Sequence, residues 1–182
     1  MPTREDYLRQ PLERRLARLA GTADELTEAT RNRSAAQLAR RPEAASWSAT
    51  EIICHLRDVE ELFRIRFHTI LALDDPKILT FSAEPVALAS WGIAGVGHPL
   101  DPDRWAEDRQ YARSDPSQAL SAFRRQRAET VVFLNSLTDT QWLRGGIHLR
   151  YGRWTLGDWM ASLAGHDDNH LDQLRRALDG RI

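Results

Sequence analysis

An all-α fold, a four-helix bundle with a long crossover between its second and third helices, is predicted by three observations. Four stretches carry apolar residues at helical spacing, each of them long. No stretch alternates with period two over six or more residues. About 40 residues separate the second stretch from the third, where a bundle turn needs only about 2–8. Four amphipathic helices of this length bury their stripes against one another.

The first helix is expected from about Tyr7 to Thr30, on a stripe of Leu8, Leu12, Leu16, Leu19, Ala23 and Leu26. Pro11 falls inside it, so the regular helix is placed from there onward. The second runs from about Ser48 to Leu73. Ser48-Ala49-Thr50-Glu51 forms a capping box at its start, and Asp74-Asp75-Pro76 ends it. The third opens at Asp115-Pro116, an N-cap followed by proline, and its stripe is Leu120, Phe123, Val131, Leu134 and Leu137. The fourth begins at Thr155, with Asp158 in the glutamate position of a capping box, and Gly180 is its stop signal. A short hairpin around Tyr151-Gly152 is the most that β structure receives. Trp47-Ser48-Ala49-Thr50-Glu51 echoes Trp154-Thr155-Leu156-Gly157-Asp158, which suggests two similar helical hairpins in succession. The crossover, Asp74 to Ser114, is rich in Gly and Pro. It is expected to close one end of the bundle, pinned by Trp91 and Trp105.

Composition narrows the function. The 182 residues are taken as one domain, residues 1–182, with 42% hydrophobic and 28% charged residues. A net charge of −1 argues against a nucleic-acid or anionic-membrane partner. No apolar run reaches membrane length and the N-terminus is polar, so a cytoplasmic location is expected. The single cysteine, Cys54, excludes an internal disulfide and is read as packing.

Chemistry is carried by histidine. His166 and His170, four residues apart, project about 40° from each other on the fourth helix and interrupt its apolar stripe. Two imidazoles so placed can share one metal ion, or pack as satisfied core histidines. His55, in the opening turns of the second helix, interrupts that stripe too. Together the three make a three-nitrogen site with positions left open for a substrate. Asp58 and Asp167 are either acceptors that fix an imidazole tautomer or solvated acids. Arg127, at the centre of the third stripe, either binds a substrate carboxylate or pairs with an internal acid such as Glu51 or Asp58. His68, His98 and His148 carry no spacing signal, although His148 lies just before the fourth helix.

Trp47-Ser48-Ala49-Thr50-Glu51-Ile52-Ile53-Cys54-His55-Leu56 resembles one signature of the DinB-like superfamily, and Gly165-His166-Asp167-Asp168-Asn169-His170-Leu171 resembles the other. Asp103-Arg104-Trp105 and Tyr151-Gly152-Arg153-Trp154-Thr155-Leu156 match as well. The resemblance implies a four-helix bundle holding a divalent ion (Zn, Ni or Fe) on His55, His166 and His170. It also implies a small-molecule substrate, with bacillithiol or mycothiol as cosubstrate of a thiol S-transferase. The alternatives are a metal-dependent hydrolase and a non-catalytic metal-binding stress protein. Relatives often carry a further histidine at the position of Ser162, whose absence bears on substrate handling. Exposed bundle faces commonly pair, which leaves a homodimer open.

Overall fold

The computed structural model describes residues 2–80, 85–92 and 100–182. His98 and the glycine-rich middle of the crossover lie outside the described residues. In chain order the elements are α1 (Arg4–Leu8), α2 (Leu12–Thr30), α3 (Ala35–Ala39), α4 (Ala49–Ala72), β1 (Lys77–Ile78), α5 (Pro85–Ser90), α6 (Pro102–Asp108), α7 (Pro116–Asn135), α8 (Asp139–Trp142), β2 (Gly145–His148), β3 (Gly152–Thr155) and α9 (Leu156–Leu178). A single 3-10 turn, Tyr111–Arg113, precedes α7.

The four long helices are α2, α4, α7 and α9, at the four predicted stripes. The first stripe is broken. Pro11 stands at the N-cap of α2 and α1 is a separate short helix, because proline tolerates a helix start but not its interior. The caps form where the sequence places them. Ser48 Oγ accepts from the Glu51 backbone N–H, and Glu51 Oε2 accepts from the Ser48 N–H at 2.9 Å. Thr155 and Asp158 reproduce this exchange at the head of α9. Asp115 accepts from Ser117 and Gln118 N–H groups above α7. At the far end of α9, Gly180 takes φ +72°, a left-handed position that glycine occupies without a Cβ clash.

The neighbours differ from the expected hairpins. α4 packs against α7 and α9, and α2 packs against the same two helices. α2 and α4 therefore sit across the bundle from each other, as do α7 and α9, and the repeated Trp-hydroxyl-acid caps do not mark two hairpins. This arrangement makes α4 and α9, the two histidine helices, direct neighbours. The apolar interior falls into two clusters. One contains Leu19, Phe63, Phe67, Leu134 and Trp159, the other Leu26, Ile52, Leu56, Phe123 and Leu174.

β structure exceeds the expected hairpin by one strand. β2 and β3 pair antiparallel, and β1 adds parallel to β2 with Lys77 opposite Ile147. Gly146 is required there, since a Cβ would stand 2.7 Å from Ile78 Cγ1. Arg144, just before β2, donates to the Ile70 and Leu73 carbonyls and so satisfies the open C-terminal end of α4. Among the described residues, no helix is long and apolar enough to cross a membrane.

Candidate metal centre

His55 is presented by α4 and His166 and His170 by α9, on the faces these two helices turn toward each other. The three predicted ligands converge. One ring nitrogen from each lies within 4.8 Å of the others. His55 Nε2 is 3.1 Å from His166 Nε2. The His55 and His170 ring centroids are 4.6 Å apart, and those of His166 and His170 are 4.3 Å apart.

The chemistry of this donor set suits a divalent ion. Two metal–nitrogen bonds of about 2.1 Å meeting near a right angle span about 3 Å, close to the separation of the His55 and His166 nitrogens. A ligand imidazole must be neutral, and all three are held that way. Burial pushes His55 down to about 3, helped by the neighbouring His170. Burial and the adjacent imidazoles put His166 well below the ordinary histidine range. Burial also lowers His170, against an opposing hydrogen bond to Gln173. That bond, 2.7 Å from His170 Nδ1 to Gln173 Oε1, fixes the tautomer. The amide oxygen can only accept, so Nδ1 carries the proton and Nε2 keeps its lone pair. The Nδ1 of His166 has no hydrogen-bond partner among the described residues.

The supporting residues stand elsewhere than the sequence suggests. Among the described residues, Asp58 hydrogen-bonds to no imidazole. Its carboxylate accepts from Arg57 Nε, Arg109 Nη1 and Tyr111 Oη, each at 2.7 Å. It thereby ties the end of the crossover to α4. Burial opposes its ionisation, but these donors outweigh burial and hold its carboxyl below the usual range. Asp167 does not orient its neighbour His166 either. Its Oδ2 accepts from Thr22 Oγ1 at 2.7 Å and from Arg127 Nη1. Arg127 is 1% exposed. It pairs internally, though not with Glu51 or Asp58. Its Nε and Nη2 donate to Glu60 Oε2 at 2.9 and 2.7 Å, and Nη1 donates to the Leu19 carbonyl. One residue from each long helix (Thr22, Glu60, Arg127 and Asp167) thus enters a single buried polar layer. Glu51, besides capping α4, is clamped by Arg41.

His148 turns to the hairpin, where its Nδ1 accepts from the Arg150 and Tyr151 N–H groups and its ring packs on Trp154. Cys54 is fully buried, as packing requires. Trp105 and Trp91 meet cations, Arg109 at 4.4 Å and Lys77 at 5.6 Å, while Asp58 supplies the firmer tie.

Two residues at the site escape a reading of helical stripes. Gln173 is one, and its signal was present: it stands three residues after His170, on the same helix face. Trp47 is the other. Its ring centroid lies 4.9 Å from that of His55, and it stacks within 13° of parallel on His170 at 6.4 Å. A cavity of about 350 Å³ opens beside them, lined by Pro42, Trp47, Pro102, Asp103, His170 and Gln173 among others. α6, the last helix of the crossover, therefore borders the same cavity as His170 through Pro102 and Asp103.

The family model described as the DinB superfamily matches residues 18–174. Among solved structures, the chain is similar to YfiT from Bacillus subtilis, with a TM-score of 0.74 at 20% identity, over 97% of this chain and 88% of that one. YfiT is described as a probable metal-dependent hydrolase with an unusual four-helix bundle topology. At that identity the likeness is one of fold. No curated protein gives a significant match.

Proposed function

Because the chain belongs to the DinB superfamily, we propose that it is a metal-dependent enzyme, with His55, His166 and His170 as the ligands, that joins a low-molecular-weight thiol such as bacillithiol or mycothiol to an electrophilic small molecule. The observation that carries this reading is the convergence of three neutral imidazoles beside a cavity. A divalent ion held there lowers the pKa of a thiol or water that it binds, making either a nucleophile near neutral pH.

The chain's own groups divide the remaining work. Gln173 holds the His170 ring and its tautomer. Trp47, Pro42 and Pro102 give the cavity the apolar part of its wall. Asp58 and Asp167 are committed to arginine and hydroxyl donors, so neither is available to take a proton from an attacking water. Thiol transfer has less need of such a base, because a thiol ionises more readily than water.

A second reading, metal-dependent hydrolysis, rests on Asp103. This exposed carboxylate lines the same cavity as His170 and is the group placed to serve as a general base. One experiment separates the two. Protein loaded in turn with Zn, Ni and Fe(II) is assayed side by side for conjugation of a thiol to 1-chloro-2,4-dinitrobenzene and for hydrolysis of 4-nitrophenyl acetate. Conjugation that needs the metal and disappears in His166→Ala supports the transferase. Ester hydrolysis that needs the metal and falls in Asp103→Asn supports the hydrolase.

A further inference from the structure

Trp47 borders two cavities. One is the cavity of about 350 Å³ that contains His170. The other, of about 690 Å³, has Ala44, Ala106 and Ala112 among its walls beside the charged Arg41, Glu107 and Arg113, and no histidine among the described residues. Ala45, Trp47 and Asp103 line both. Ala45 has too little side chain to separate two spaces of this size, and Asp103 is exposed. Among the described residues, the indole is the one large group common to both walls.

Its position is fixed rather than incidental. Trp47 immediately precedes Ser48, the N-cap of α4. Ser48 is held by Glu51 through both its N–H and its hydroxyl, and Glu51 is held in turn by Arg41. On its other side the indole rests against the His55 and His170 rings. A capping box, an ion pair between Arg41 and the buried Glu51, and two imidazoles thus constrain the tryptophan from both ends. A wall so supported resists being pushed aside by an entering ligand.

We infer that Trp47 is a specificity-determining partition: it confines what reaches the histidine cluster to the smaller cavity and keeps the larger cavity out of reach. The inference rests on the metal-site reading above. Removing the indole joins the two spaces, so a ligand with a bulky aromatic tail can place its head at the histidines and its tail among Ala44, Ala106 and Ala112. A small ligand gains nothing from the added space.

The test uses Co(II)-loaded protein and two thiols, 2-mercaptoethanol and 2-naphthalenethiol, with binding read from the sulfur-to-cobalt absorption band. The wild type is expected to favour the small thiol. Trp47→Ala should improve the affinity for 2-naphthalenethiol by about tenfold or more relative to 2-mercaptoethanol, a typical size of pocket-shape discrimination. Trp47→Phe, which keeps an aromatic wall and guards against a misfolded alanine variant, should fall between. An unchanged ratio of the two affinities in cobalt-loaded Trp47→Ala and Trp47→Phe overturns the partition and leaves the metal site standing. Wild-type protein that takes up no cobalt overturns the metal reading, and the partition with it.

Discussion

His55 Nε2 and His166 Nε2 face each other at 3.1 Å across the interface of α4 and α9. The contact joins residues 111 positions apart and exists because the bundle sets these two helices side by side. Without a cation, one ring must donate to the other. With one, both lone pairs point at the same charge, and burial already keeps the rings neutral.

Gln173→Ala should weaken metal binding without unfolding the chain. The variant releases His170 Nδ1 from its acceptor, so the ring can rotate and change tautomer. Loss of such an outer partner typically costs about 10–100-fold in metal affinity. Competition with a chromophoric chelator measures it, and unchanged affinity would show that the α9 backbone alone orients His170.

Arg127→Met should be far more damaging than a surface change. It leaves the Glu60 and Asp167 carboxylates buried without the guanidinium that both pair with. Removing one partner from a buried ion pair costs about 3–5 kcal/mol. Adding Glu60→Gln and Asp167→Asn should recover part of the loss. Urea titration checks both steps. A single variant as stable as the wild type would mean that water reaches this layer.

In the metal-free chain, acid should be destabilising well above the carboxylate range. An unfolded histidine takes up a proton near pH 6.5, whereas folded His55 resists until about pH 3. Between those values the unfolded state binds more protons, so stability falls as pH drops. The slope is at most about 1.4 kcal/mol per pH unit for each histidine so buried. Denaturation of metal-free protein at pH 7, 6 and 5 should show this decline, and His55→Gln should flatten it. Equal slopes in both proteins would remove His55 from the account.

The bundle was legible because stripes and caps are local. Ser48, Asp115 and Thr155 mark helix starts within three residues of themselves, and His166 and His170 share a face by spacing alone. The diagonal placement of α2 and α4 was not legible, since a stripe tells which face is buried and not which helix covers it. The same limit explains Arg127. A helical wheel puts its guanidinium in the core but cannot choose Glu60 and Asp167 over Glu51 and Asp58. Asp58 and Asp167 were read against the nearest histidine in sequence, whereas arginines with more donors reach them first. β1 has two residues, too few for any period to register. Trp47 lies one residue before the N-cap of α4, where a stripe does not extend.

The most direct measurement is the metal stoichiometry of the purified, reconstituted protein beside His166→Ala, taken with the circular dichroism of both. The wild type should hold one divalent ion per chain. The variant should hold almost none while keeping its helical signal, because the fold rests on apolar stripes and the ion rests on three imidazoles. Full metal content in His166→Ala, or none in the reconstituted wild type, would contradict a metal site on these histidines.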